Sequence, residues 1–285
     1  MEKKKIIISD KKLQVKMQQL ENGLKQKGNL AIAFSGGVDS SFLLKVASDI
    51  GGTNVLAITL KSPSFPKREI DRAIEFTKKY KIKHILAESN EFENEDFIKN
   101  DRLRCYYCKG SEFATIINIA KENGFDFVAD GQNKDDISDY RPGADAAREL
   151  GVISPLKDFG FTKEDIRQLS KQIGLKDWDR PAFACLASRI PYGTTITREV
   201  LARIDRLEIF LIKKGFTQVR VRHHGDLARI EIIKEEIPML VGQHLMEKIV
   251  SEFKKAGYLY VTLDLEGYRT GSMNIMIQHD IKNDF

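Results

Sequence analysis

Apolar positions come in short, near-continuous runs from residue 29 onward: NLAIAF, NVLAITL, KHILAE and FDFVAD. Between them lie segments whose apolar residues recur at helical spacing. Such alternation predicts a parallel sheet covered by helices on both faces. Helices are expected over SFLLKVASDI, around 68–80 and around 111–123. The connections at 61–67, 89–108 and 131–145 follow strands and read as loops. They should gather at the carboxyl edge, where open sheets of this kind bind ligands. Thr162 is expected to cap a further helix, with Asp165 three residues on completing a capping box. KDWDRPAFACLASRIPYGTTIT, with Pro181 and Pro191 and little periodicity, reads as a long functional loop.

From Thr197 the pattern changes. A helix should run to about Lys214, followed by strands TQVRVRHHG and LARIEII, a helix around 241–256 and a strand YLYVTLDL. The fold class is therefore α/β, a doubly wound parallel sheet, with a smaller C-terminal α+β domain. Residues 1–180 form the first domain; residues 181–285 hold the loop with Cys185 and the second domain, expected to serve substrate binding and oligomerisation.

Composition refines this. With 42% hydrophobic and 31% charged residues, the chain is globular, and no apolar run approaches the roughly 18 residues of a membrane span. MEKKKIIISD is too short in apolar residues for a signal peptide, so a cytoplasmic protein is expected. A net charge of +5 favours anionic partners mildly. Three cysteines do not make a disulfide framework in a chain of this size and point instead to metal binding or catalysis.

The chemistry begins at SGGVDSS, residues 35–41, set between an apolar strand and a helix. Gly36 and Gly37 permit a tight turn and close backbone approach to an anion, and the helix start favours phosphate. Ser35, Ser40 and Ser41 can donate further hydrogen bonds, and Asp39 can hold Mg²⁺ against a pyrophosphate. The loop lacks the Gly-Lys-Ser/Thr ending of a Walker motif.

This loop resembles that of the PP-loop ATP pyrophosphatase superfamily, whose members cleave ATP between the α and β phosphates and adenylate a carbonyl or carboxylate. In that superfamily the position of Thr59 meets the adenine. ADGQNKDDISDYRPG, CLASRIPYG and EGYRTGSMN, in this order, are similar to the LarE family of sulfur transferases in nickel-pincer cofactor biosynthesis for lactate racemase. The resemblance implies ATP-dependent adenylation of a pyridinium carboxylate mononucleotide, attack by a protein-bound sulfur, and release of a thiocarboxylate. It also implies a homo-oligomer and sulfur donor and acceptor proteins of the pathway.

Candidate roles follow on the residues. Asp130 and Gly131 end the strand FDFVAD above the nucleotide. Asp135, Asp136 and Asp139 are candidates to position metal or substrate, or else cap a loop, and Arg141 is a candidate phosphate contact. Arg189, four residues after Cys185, would hold an anionic substrate near the sulfur, or lie on the surface. In QVRVRHH, Val219 and Val221 should face one way and Arg220, Arg222 and His224 the other, giving a phosphate clamp or a solvent face. Glu208 adjoins the apolar stripe of Leu201, Ile204, Leu207 and Leu211 and needs a partner, for which Arg220 or Arg222 would serve. His223, His224 and His244 read as structural.

The LarE pattern implies one sulfur-donating cysteine at Cys185, consumed to dehydroalanine. This sequence adds Cys105 and Cys108 in RCYYCK. Three readings stand: a 4Fe–4S cluster held by Cys105, Cys108 and Cys185 that carries a replaceable sulfide; a zinc site or redox pair; or a sacrificial Cys185 with an incidental pair. The rival functions are a tRNA 2-thiolation enzyme, against which the slight basic excess argues, and a non-catalytic ATP or Fe–S sensor.

Overall fold

The structure, a computed structural model, describes residues 10–138, 142–181, 184–241 and 243–269. It divides into two compact units: the described residues of Met1–Asn94 and Cys105–Phe183, and those of Glu95–Arg104 and Ala184–Phe285. Among the described residues no helix is long and apolar enough to cross a membrane.

The first unit opens with α1 (Lys11–Lys27), then β1 (Asn29–Ala33), α2 (Val38–Asp49), β2 (Asn54–Lys61), α3 (Lys67–Tyr80) and β3 (Lys83–Glu88). Strands β1 to β3 are the apolar runs read from the sequence. They are joined, after α4 (Glu95–Lys99) of the second unit, by α5 (Arg104–Glu122) and β4 (Phe127–Ala129). The sheet is parallel in the order β3-β2-β1-β4, with Ala31 opposite both Leu56 and Val128. Stepping outward to β3 and then back past β1 to β4 is the doubly wound connection expected. It puts one apolar cluster on each face. Leu30, Ile32 and Phe34 of the central strand region pack with Phe42, Leu43 and Val46 of α2 in one cluster, and Ala31, Leu56 and Ile58 pack with Phe113, Ile116 and Ala120 of α5 in the other. The unit closes with α6 (Pro142–Glu149), α7 (Pro155–Asp158) and α8 (Lys163–Gln172). Thr162 caps α8 in a full capping box with Asp165, as its spacing predicts.

Two elements differ from the sequence reading. Helix α1 has no counterpart in it, although Leu13, Met17, Leu20 and Leu24 form a buried stripe and the Asp10 carboxylate accepts from the Lys12 and Leu13 amides. Residues 89–108 are not a continuous loop, since they contain a 3₁₀ turn (Glu91–Glu93), α4 and the start of α5. Asp101 starts α5 early: its carboxylate accepts from Leu103 N at 2.7 Å and its carbonyl from Arg104 N at 3.1 Å. The cysteine pair is therefore helical.

The second unit holds α9 (Arg198–Lys213), β5 (Val219–His224), β6 (Leu227–Ile232), α10 (Ile237–Leu240), α11 (Gln243–Lys255) and β7 (Tyr260–Leu263). Strands β5 and β6 pair antiparallel across a turn at Gly225, whose φ of 63° suits glycine, and β7 joins β6 in parallel after α11. Thr197 caps α9. Of the two readings of β5, the solvent-facing strand is corrected: Val219 to His223 are all buried, because both strand faces are covered.

His84 of β3 ties α3 to the sheet. Its Nε2 lies 2.9 Å from Thr59 Oγ1 and its Nδ1 2.9 Å from Thr77 Oγ1. Thr59 donates to the Phe34 carbonyl and so accepts from Nε2–H, while the single Thr77 hydroxyl proton is shared among Nδ1 and the Ala73 and Ile74 carbonyls, each of the two 3.1 Å away. Burial disfavours the charged ring and lowers the His84 pKa from 6.5 to about 4. The unfolded chain thus binds more protons between these values, and stability falls as pH drops from about 6.5 towards 4. Urea unfolding across that range should show this slope in the wild type and a flatter profile in His84→Asn.

Candidate active site

The phosphate loop is built by exclusion of side-chain atoms. Gly36 has φ of 72°, and a Cβ there would lie 3.1 Å from the Glu69 carbonyl oxygen and 3.3 Å from Ala73 N on α3. Gly37 then caps α2 in extended conformation with no side-chain hydrogen bond to the first turn. The amides of that turn remain aimed outward, and the helix dipole adds positive potential. Ser35 Oγ lies 3.2 Å from Ser40 Oγ and accepts from Gly37 N at 3.3 Å, while Ser40 Oγ also approaches the Gly37 carbonyl at 3.2 Å. Ser41 is buried in the next position.

The sheet edge beyond β4 meets this loop directly. A Cβ on Gly131 would sit 2.9 Å from Ser40 N, so only glycine allows the backbone to pass. Asp130 is buried, accepts from Gln132 N at 3.1 Å and Gln132 Nε2 at 2.8 Å, and has its pKa raised by burial. Asn133 donates to Asp39 Oδ2 at 3.0 Å. Burial raises the Asp39 pKa, and this bond acts against it. Ser35, Gly36, Gly37, Asp39, Ser40, Ser41, Asp130 and Gly131 thus come together at one edge. Thr59 anchors the end of this region through the Phe34 carbonyl.

Asp135 and Asp136 serve the local fold. Asp135 accepts from Lys163 N at 2.8 Å, at the start of α8, and Asp136 from Asn133 N at 3.1 Å. Asp139, Arg141 and the segment from Thr270 lie outside the described residues.

Sequence reasoning missed Asn133, Glu69 and Arg180. Arg180 Nη2 donates to the Gly36 carbonyl at 3.1 Å and to Glu69 Oε2 at 2.7 Å, while Arg72 holds Glu69 Oε1 at 2.8 Å. Arg180 is 144 residues from Gly36 in the chain, and no local pattern announces such a bond.

Cys105 and Cys108 stand three apart in the first turns of α5 and so share one helix face. Cys108 Sγ lies 3.5 Å from Glu91 Oε2, a buried carboxylate that also accepts from the Ser62 and Ser64 hydroxyls. A Cβ on Gly143 of α6 would lie 3.0 Å from the Cys105 carbonyl, so α6 packs against this turn through a glycine. Both thiols are partly buried. Among the described residues, no group of three or more His, Cys, Asp or Glu side chains stands close enough to hold a metal ion.

In the second unit Cys185 precedes a short 3₁₀ turn (Leu186–Arg189), and two buried arginines grip that turn. Arg189 is fully buried. Its Nε and Nη2 donate to the two oxygens of Glu208 at 2.9 and 3.1 Å, and its Nη1 to the carbonyls of Ala184 and Cys185 at 2.6 and 3.0 Å. Arg222 repeats the pattern, bidentate to Glu231 at 2.9 and 2.7 Å and donating to the Ser188 carbonyl at 2.9 Å. Glu208 thus takes Arg189 as its bidentate partner, with Arg220 of the expected pair adding its positive charge nearby, while Arg222 pairs with Glu231. Arg189 does not lie on the surface; its guanidinium donates to Glu208 and to the backbone around Cys185, whose shape it sets. Arg220 stacks 5.0 Å over the Tyr268 ring, and burial, then Arg189, lower its pKa to about 10. Burial alone would raise the Glu208 pKa; Arg189 outweighs it and holds the carboxylate below its ordinary value.

A doubly wound sheet with a double-glycine turn opening onto an uncapped helix defines an α/β protein of the PP-loop class. No protein-family model matches the chain. It is 37% identical to the pyridinium-3,5-bisthiocarboxylic acid mononucleotide synthase of Lactiplantibacillus plantarum, over 92% of this chain and 95% of that protein. An uncharacterized protein of Synechocystis is 43% identical over 92% of this chain and 98% of its own length. One subunit of the glutamine-hydrolyzing GMP synthase of Thermoplasma volcanium is 27% identical over 52% of each chain. The chain belongs to the LarE family of pyridinium-3,5-bisthiocarboxylic acid mononucleotide synthases, and it is an enzyme.

Removing one member of a buried ion pair strands the other charge. Glu208→Gln should lower stability by about 3–5 kcal/mol, measured by urea unfolding. Replacing both partners, Arg189→Met with Glu208→Leu, should cost less than the sum of the single changes.

Proposed function

We propose that this enzyme uses ATP to adenylate a pyridinium carboxylate mononucleotide and converts the activated acyl group to a thiocarboxylate in nickel-pincer cofactor biosynthesis. The observation that carries this reading is the uncapped N-terminus of α2 behind Gly36 and Gly37, with Asp39 and Asp130 beside it. A carboxylate oxygen leaves poorly and AMP leaves well, so activation must precede thiolation. The substrate carboxylate attacks the α-phosphorus of ATP, pyrophosphate departs, and the acyl-adenylate forms. A sulfur nucleophile then attacks the acyl carbon and AMP departs.

On this reading the α2 amides and Ser35, Ser40 and Ser41 bind phosphate oxygens. Asp39, an oxygen donor steadied by Asn133, suits Mg²⁺ and would hold it against the departing pyrophosphate. Thr59 shapes the adenine side. Arg189 and Glu208 position the Cys185 turn, while Arg220 and Arg222 remain the candidates for substrate phosphate.

Cys105, Cys108 and Cys185 offer soft thiol donors, two of them on one helix face, and suit iron. They are the proposed ligands of a 4Fe–4S cluster, which when bound supplies a replaceable sulfide as the transferred sulfur. Glu91 beside Cys108 would accept its proton as the thiol becomes a thiolate ligand. The same reading includes a homo-oligomer and sulfur donor and acceptor proteins.

Anaerobically purified protein should release AMP and pyrophosphate with a pyridinium carboxylate mononucleotide and not with tRNA. Asp39→Asn should slow this by about 10²–10³-fold. Iron and sulfide analysis should give about four irons per chain, lost in the Cys105→Ser/Cys108→Ser variant while AMP release persists. An iron-free preparation that thiolates once, converting Cys185 to dehydroalanine, would replace the cluster with a sacrificial cysteine. AMP release only with tRNA would replace the substrate.

A further inference from the structure

A cavity of about 170 Å³ lies in the first unit against the phosphate loop, with Gly36, Val38 and Ser41 on one wall. Gly36 and Ser41 are shared with the phosphate loop, but none of the other lining residues has a part in the adenylation or thiolation steps. Three aromatic side chains line it: Phe76 and Tyr80 of α3, and Trp178. So do four cations, Arg72, Lys79, Lys176 and Arg180, against two acids, Glu75 and Asp177. A cavity of about 150 Å³ holds a benzene ring, so this volume accommodates one six-membered ring with a small substituent. The aromatic walls suit a flat ring and the cationic excess suits a negative substituent.

Arg180 links the cavity to the nucleotide loop. Its Nη2 is committed to the Gly36 carbonyl and Glu69, whereas its Nη1 is buried with no hydrogen-bond partner. Arg180 and Arg72 share the single carboxylate of Glu69, so this wall keeps one positive charge in excess, which an anion in the cavity would offset.

We propose that this cavity is a second ligand site that takes a small aromatic carboxylate and communicates its occupancy to the phosphate loop through Arg180. The carboxylate shares the cationic wall formed by Arg180, Lys79 and Lys176, and the ring packs on Trp178, Tyr80 and Phe76. Because Arg180 also holds the Gly36 carbonyl, filling the cavity changes the affinity of the loop for nucleotide, and nucleotide changes the affinity of the cavity by the same factor. The site itself stands apart from the adenylation reading; only the coupling rests on it.

Trp178 is the single tryptophan of the chain, so its fluorescence reports the cavity alone. Benzoate titrated into the full-length protein should change this emission saturably, with calorimetry giving the same affinity. Benzamide, which has the ring without the charge, and inorganic phosphate, which has the charge without the ring, should each bind at least about tenfold more weakly. Lys79→Glu/Lys176→Glu changes two exposed residues; with an unaltered circular dichroism spectrum it should weaken benzoate at least about tenfold. Equal binding of benzamide or of phosphate, no saturable signal, or an unaffected double variant would overturn the site. Saturating benzoate should shift the dissociation constant for ATP, and an unchanged constant would overturn the coupling. If ATP does not bind at all while benzoate does, the adenylation reading and the coupling fall and the cavity site stands.

Discussion

The close backbone packing around residues 35–40 is the constraint on which the first unit turns. A helix start binds anions only if its amides are bare and a ligand can reach them. Here Gly36 runs against α3 and Gly131 runs against Ser40, and neither position has room for a Cβ beside its neighbour. Arg180 holds the Gly36 carbonyl from the side. The loop is thus preorganised by steric contact and one charged hydrogen bond, and little of its order needs to come from the ligand. Asp39 and Asp130 sit in the same desolvated edge, which is why burial pushes both of their pKa values upward.

The second unit solves a different problem, the fixing of a short turn that carries a thiol. Two buried glutamates, Glu208 and Glu231, each orient one arginine bidentately, and each arginine spends further donors on carbonyls of the Cys185 turn. Burying two ion pairs is a poor route to stability, because desolvation consumes most of the Coulombic gain. It is a good route to a defined geometry, since the planar guanidinium fixes direction as well as distance.

Much of the architecture is legible from periodicity. Strands β1 to β4, the doubly wound order, the cap at Thr162 and the helix from Thr197 all express local patterns that the folded chain keeps. The departures share a cause. Residues 89–108 lack a clean apolar stripe, so neither the 3₁₀ turn at Glu91 nor the early start of α5 shows in the sequence. The solvent-facing reading of β5 fails because alternating arginines are normally exposed, and here a buried glutamate, Glu231 on the neighbouring strand, neutralises Arg222. Glu208 is recognisable as a carboxylate in need of a partner, but its bidentate partner comes from a loop 19 residues upstream, and the neighbouring strand adds the charge of Arg220 and the Val221 amide.

By itself the sequence determined the parallel α/β class and the double-glycine turn at residues 35–41 that opens onto a helix. These depend on interactions between residues close in the chain, which leave a period or a motif. The tertiary structure alone decided which charges pair, which arginine holds the Cys185 turn, that Arg180 grips the phosphate loop, and that a cavity opens beside it. Those outcomes depend on side chains brought together from distant segments, where sequence separation carries no record of which acceptor a buried donor will meet.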